Sequence, residues 1–427
     1  MLQKESSYKP RVFYGWWIVF AGLAGMSISV GFANHGLSAF IIPIADEFNV
    51  DIAVVATILV LGRIETAFIG PIEGYLVDRF GPRTMMFIGV PILGVGLLVV
   101  SITSSLPTFI ASFLLGVVLG TSLGFSMPIS TAVANWWRKK RGQAFGLMWL
   151  GFSVGALLVW PINQVIEAYG WRWAFRVMAI ITFVVGFPVS AVMRHRPEDY
   201  GMVPDGEDPK QNNEPVGSSE NKVVNKAQEQ EINFTVWEAL KTPALWYFTM
   251  AISVRGAVTG AVAINLFPLV ESLGGSSSQA AFLFVIHAIF SAPGRLFFSW
   301  AGDWFNKRYL MTVLLGLLGI AVLTMSQATS ITSLTLLYAP YALVWGGLSS
   351  LPQSFRADLF GREHYASIQG AIAPFRTGFT FAAPVFAAWM FDQTGSYQIP
   401  LMVFGLFAFI AMGMIFMARP PEKRTST

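Results

Sequence analysis

Gly74-Tyr75-Leu76-Val77-Asp78-Arg79-Phe80-Gly81-Pro82-Arg83 is a short charged turn between two long apolar stretches. Residues 52–78 lead into it and residues 84–103 lead out. Each stretch supplies the about 20 apolar residues that a helix needs to cross a bilayer. Asp78, Arg79 and Arg83 therefore mark a membrane edge, where a helical hairpin turns in water. Further stretches of this kind occur at 14–42, 107–136, 142–167 and 172–193. They continue at 243–271, 277–303, 308–327, 331–358, 364–392 and 398–418. The pattern predicts an all-α integral membrane protein of twelve transmembrane helices.

Composition agrees. Apolar residues make up 54% of the 427, charged residues only 12%, and the mean hydropathy is +0.57. The net charge of +4 does not point to nucleic acid, because most basic residues fall at one membrane side. They lie in the N-terminus, at Arg79 and Arg83, in 138–141, in the 194–241 loop, at Lys307, Arg308, Arg356 and Arg362, and in the C-terminus. The opposite loops, 45–50, 104–106 and 274–278, are acidic or neutral. The positive-inside rule then places both termini in the cytoplasm of a cell that carries this chain in its plasma or inner membrane. The first 13 residues are polar and basic, with no small-residue cleavage site, and read as the lead into a retained span. With no cysteine, disulfides, thiolate catalysis and Cys-based metal sites are excluded. No other metal site and no cofactor is expected.

Residues 194–234, rich in Glu, Asn, Gln, Ser and Lys, separate six spans from six and read as a mobile linker. The expected division is a six-helix half at 1–193, a cytoplasmic linker at 194–242 and a second six-helix half at 243–427. Asn233-Phe234-Thr235 fits a glycosylation acceptor but falls on the wrong side. Thr235 with Glu238 reads as a capping box that opens a short helix. One constant shift superimposes Pro43 on Pro268 and Asp78 on Asp303. A slightly longer one places Gly151-Phe152-Ser153 on Gly378-Phe379-Thr380. Two parallel, pseudo-symmetric halves with a central cargo site follow.

The turn at 74–83 resembles the signature loop of the major facilitator superfamily, and 299–308 is a degraded copy in the second half. Other segments resemble the oxalate:formate antiporter and monocarboxylate transporter branch of that superfamily. They are Tyr14-Gly15-Trp16-Trp17, Asn135-Trp136-Trp137 with Arg141-Gly142, Gly170-Trp171-Arg172, and Arg196-Pro197-Glu198-Asp199-Tyr200-Gly201. Trp345-Gly346-Gly347 and Asp358-Leu359-Phe360-Gly361 complete the set. The resemblance implies that Asp78, Arg79, Arg83 and Asp303 form a charged latch. It implies that a basic residue eight before the second loop aspartate binds a substrate carboxylate, which here is Arg295. It also implies a cation six residues after a glycine on the eleventh span, here Arg376 after Gly370. Proton-coupled members of the branch carry an aspartate four residues before that arginine; this chain has Ser291, which favours exchange over symport.

The residues support the same reading by themselves. Arg63, Arg255, Arg295 and Arg376 lie inside apolar stretches. Each costs about 2.5–3.5 kcal/mol at a bilayer centre, and arginine cannot escape by losing its proton. The deep acids Glu65 and Glu73 are too few to neutralise them. At 1.5 Å per residue, Arg295 lies about 12 Å from the end of its span, Arg255 and Arg376 about 16–18 Å and Arg63 about 22 Å. A planar fork binds a carboxylate through two parallel hydrogen bonds. Arg295 and Arg376 are the expected cargo contacts. Arg255 reads equally as a cargo contact or as a partner of an acid elsewhere, whereas Arg63 reads more as a partner of an acid than as a cargo contact. Gln369, Arg376 and Thr380 share one helical face, as do Tyr338, Tyr341, Trp345 and Ser349. Trp345, Tyr341 and Gln369 are candidate cavity walls, with helix packing as the alternative for the tyrosines. His35 is a candidate cargo or proton ligand. Glu65 is the candidate coupling group, with Arg63 near it, and Glu73 belongs with the gate.

The expected function is a secondary carrier of a small organic anion, a mono- or dicarboxylate. It works by alternating access and exchange, with proton-coupled monocarboxylate symport as the alternative. Its partners are the anion, the lipid bilayer and, for symport, protons, and the chain is expected to act as a monomer. No nucleophile–base pair supports an intramembrane enzyme. A transporter-like nutrient receptor would be expected to carry a signalling domain, and the linker is too small and polar for one.

Overall fold

The computed structural model describes residues 12–32, 36–206 and 232–422, which are helical throughout with no strand among the described residues. Nine helices among them are long and apolar enough to cross a membrane. They are Pro82–Val100, Leu106–Trp136, Arg141–Tyr169, Trp171–Val192, Pro243–Ile264, Ser278–Trp304, Lys307–Met325, Ile331–Phe360 and Gln398–Met417. Three more spans complete the twelve. The first is Tyr14–Val30, continued by Ile41–Phe48, and the second is Ile52–Phe80. The eleventh joins Tyr365–Ala371 to Ala373–Thr394.

Local chemistry sets the ends. Gly81 adopts φ +82° between the second and third spans, a conformation that a side chain disfavours, and Pro82 opens the next helix where its missing amide costs nothing. Capping boxes at Thr235/Glu238 and Ser276/Gln279 start the short helix Val236–Leu240 and the eighth span. Some of the spans expected to be continuous are interrupted, the seventh and the eleventh among them. The seventh ends at Ile264, where the Asn265 side chain donates to the Ala261 carbonyl. The eleventh breaks at Ile372, just before Pro374, which has no amide for the preceding turn.

Each half has its own core, one including Met86, Phe109 and Ile129 and the other Phe248, Leu283 and Phe404. A smaller cluster of Val77, Met85, Leu123 and Met127 with Ala366 spans both. Phe68, Trp160, Trp304 and Leu336 are each more than 70% exposed, a surface that suits lipid and not water. The halves meet at the charged-turn end, the second span against the eleventh and the fifth against the eighth. Backbone touches backbone there. A Cβ on Gly74 would lie 2.3 Å from the Ala366 carbonyl oxygen, one on Gly370 2.1 Å from that of Gly70, and one on Gly142 2.2 Å from that of Ser299. Small residues permit such close helix contact in membranes.

The start of the expected linker is packed. Asn135 and Trp136 donate to the carbonyls of His195 and Arg194, and Arg194 lies over the rings of Tyr14 and Tyr200. The Asp205 carboxylate accepts the amides of Arg138, Lys139 and Lys140. Residues 207–231 lie outside the described residues.

Candidate functional site

Spans five, eight and ten converge on Arg295, which is fully buried. Its Nε donates to Ser349 Oγ at 2.9 Å and its Nη1 to Ser153 Oγ at 3.0 Å, joining the two halves. Nη2 is buried without a hydrogen-bond partner. The guanidinium lies 5.5 Å from the ring centre of Trp345 and 5.8 Å from that of Phe152. These two rings are themselves 5.4 Å apart. A charged donor with an unused edge, between two aromatic walls, is arranged to accept an anionic oxygen.

Two further arginines lie in the interior of the second half. Arg255 donates from Nη1 to the Leu348 carbonyl at 3.1 Å, and its Nε is buried without a partner. Arg376 lies in the electrostatic field of Arg255 and Arg356. Among the described residues, no acid neutralises the guanidinium groups of Arg255, Arg295 and Arg376 by an ion pair.

The other candidate walls are arranged in layers. Trp345 meets His287 edge-on at 4.6 Å, and behind His287 lie Tyr338 and Tyr341, their tilted rings 5.2 Å apart and buried. Gln369 accepts a hydrogen bond from Arg356 through Oε1. Arg356 is buried, 4.1 Å above the Tyr365 ring, although its sequence position suggested a basic membrane edge. Thr380 returns its hydroxyl to the Arg376 carbonyl. His35 lies outside the described residues, as do the side chains of Arg63 and Glu65.

The charged turns close one end. Asp78 accepts the backbone amides of Ala366 at 3.1 Å and Ser367 at 2.7 Å, in the first turn of the eleventh span. Asp303 accepts those of Gly142 at 2.6 Å and Gln143 at 2.9 Å, in the first turn of the fifth. Each aspartate thus neutralises the positive end of a helix in the other half. Asp358 pairs with Arg141 at 2.8 Å and with Lys307 at 2.6 Å. Arg79 donates to the Tyr75 hydroxyl and lies over Phe80, and Arg83 lies over Phe87, so both follow their own helices. Beside the turn, burial and the neighbouring Arg196 hold the His195 imidazole below its usual range, against a weaker opposite pull from Asp199.

Sequence reasoning did not single out Phe152 and Ser153 as partners of Arg295, nor Arg356 and Asp358 as gate residues. Phe152 and Ser153 were visible only in an internal repeat, and Asp358 only as part of a motif. No local signal marks Arg356, which is covered by the eleventh span.

Two cavities lie away from the arginines. One of about 300 Å³ is lined by apolar residues such as Met250, Phe379 and Phe407. One of about 170 Å³ lies among Ser272, Gln327 and Gln398. Neither offers a cation to an anion.

The chain is similar to known proteins over most of its length. The chain is 24% identical to monocarboxylate transporter 12 of Xenopus laevis, over 96% of this chain and 91% of the relative. It is 26% identical to the oxalate:formate antiporter of Oxalobacter formigenes, over 77% and 73%. The fold matches the crystal structure of the human organic anion transporter MFSD10 with a TM-score of 0.67 at 15% identity, over 95% of this chain and all of that one. Residues 19–382 match the model of the Major Facilitator Superfamily. The chain is a multi-pass membrane transporter and belongs to the major facilitator superfamily.

Proposed function

We propose that the chain carries a small carboxylate-bearing anion by alternating access between its two six-helix halves, in exchange for a second anion. The observation that carries this reading is Arg295, a buried guanidinium with one nitrogen unpaired and no acid partner. Arg255 and Arg376 add positive charge that an anion would neutralise. The relatives named for monocarboxylates and for oxalate and formate make carboxylates the class to try first. Ser291, four residues before Arg295, offers no acid to relay a proton and favours exchange. The placement of basic residues supports a cytoplasmic position for the charged turns and both termini, in a plasma or inner membrane.

Counterflow in proteoliposomes tests this directly. Vesicles loaded with an unlabelled mono- or dicarboxylate should accumulate the labelled anion transiently with no pH gradient. Empty vesicles should take it up slowly at any pH. Strong accumulation driven by a proton gradient alone would replace exchange with symport. Specific binding without counterflow would favour a receptor. If no small carboxylate exchanged or stabilised the purified protein, the anion reading would fail.

A further inference from the structure

Glu73 is a buried acid that the anion site does not use. It is 2% exposed, on the second span within a turn of the seam. Among the described residues, its hydrogen-bond partner is the Ser122 hydroxyl on the fourth span, at the start of the widened π-helical stretch Ser122–Ser126. Such stretches are frequent at functional sites.

Among the described residues, no cation pairs with this carboxyl. The fourth span, Leu106–Trp136, has no ionisable residue, and the third, Pro82–Val100, has only Arg83 in its first turn. The helix Ile41–Phe48 carries only Asp46 and Glu47. The eleventh span brings Tyr365, Arg376 and Asp392. On its own span, Asp78 and Arg79 lie at the far end, while Arg63 and Glu65 stand about 15 and 12 Å away along the axis. Arg356 is engaged with Gln369 and the Tyr365 ring. An ionised carboxylate with a single hydroxyl partner would be an uncompensated buried charge, and such groups take up a proton instead.

The surroundings of Glu73 change when the halves part. Gly70 and Gly74, three residues before it and next to it, press on Gly370, Ala373 and Ala366 of the other half. Parting at this end would bring water to that turn. Opening at the opposite end leaves this seam shut.

We propose that Glu73 and Ser122 form a proton-binding site. It is filled when the charged-turn end is closed and emptied when that end opens. The proton leaves to, and returns from, the compartment on that side only. The proton therefore does not cross with the cargo; it makes opening depend on the acidity of one compartment. The site rests on the alternating-access mechanism and not on the identity of the anion.

Two measurements test the site. In infrared spectra of the purified carrier at neutral pH, Glu73→Gln should remove a protonated-carboxyl stretch, and Ser122→Ala should move that band without removing it. A band seen only in sodium-free buffer would assign the site to a metal cation. If Glu73→Gln removed no such band, the carboxyl would be ionised. Either result overturns the proposal.

The second measurement uses the absence of cysteine. A single Met127→Cys, in the cluster shared by the halves, reports opening through thiol labelling. In reconstituted vesicles, labelling should rise with pH on the charged-turn side, up to about tenfold per unit for one proton released. It should ignore pH on the other side, and Glu73→Gln should flatten the response. Should that variant fold poorly, Ser122→Ala should move the midpoint of the same profile. Control by the opposite compartment, or an unaltered profile in both variants, would overturn the proposal. Carboxylate counterflow is read separately, so a failed anion reading would leave this result standing.

Discussion

Arg295 and Ser153 are hydrogen-bonded at 3.0 Å across the two halves of the molecule. The residue expected to hold the cargo is thus also held by the half that must move away from it. An anion that took both Nη1 and Nη2 of this guanidinium would displace Ser153, and its binding would then act directly on the contact between the halves.

Replacing Arg295 should weaken cargo binding. Arg295→Gln loses the charge, and Arg295→Lys keeps it but loses the planar fork. Both should abolish or sharply reduce the rise in melting temperature that a bound anion produces by mass action. A charge-assisted hydrogen bond is worth about 1.5–3 kcal/mol, so affinity should fall about tenfold to a hundredfold. An unchanged thermal shift in Arg295→Gln would remove this residue from the site.

Arg376 should decide between one negative group and two. With a carboxylate at Arg295 and another at Arg376, Arg376→Gln should weaken dicarboxylates about tenfold to a hundredfold more than monocarboxylates. Competition counterflow with a short dicarboxylate and a short monocarboxylate measures the ratio. Equal loss for both would make Arg376 a contributor to the general field.

Gly74→Ala should hold the charged-turn end open. The added methyl would lie 2.3 Å from the Ala366 carbonyl oxygen, and overpacking of this kind costs about 1–3 kcal/mol in the closed state. Labelling of Met127→Cys should increase about tenfold to a hundredfold, and counterflow should slow. Unchanged labelling would show that the seam relaxes around a methyl group.

Acid should loosen the region around His195. Its folded-state value is lowered from the usual 6.5, so the fold favours the neutral ring. The stability it contributes is present above the usual value and is lost as pH falls through the lowered one. Melting temperature should decline with acidification in that window, and His195→Gln should reduce the slope. The same slope in that variant would transfer the effect to other groups.

The spans were legible because the bilayer demands long apolar helices with internally satisfied backbones, and that demand is written residue by residue. The break at Ile372 was less visible, since Pro374 bends some helices and ends others. Asp78 and Asp303 could be paired by repeat, but their partners could not be identified, because backbone amides carry no residue signature. Gln369 shares a helical face with Arg376 by spacing, yet it meets Arg356. Helical periodicity gives a direction around one axis and says nothing about which neighbour stands there. Burial of Arg356 depends on how the eleventh span begins, a contact set by tertiary packing.

The crossed placement of Asp78 and Asp303 has a consequence for leakage. Each half stabilises a helix start that belongs to the other, so a rocking motion that frees one leaves both sets of amides exposed. A half-open geometry would lose part of this stabilisation and gain no passage for cargo. In a carrier that rocks its two halves, this end would therefore behave as a two-position switch, and small solutes and ions would find few moments in which one side stands ajar.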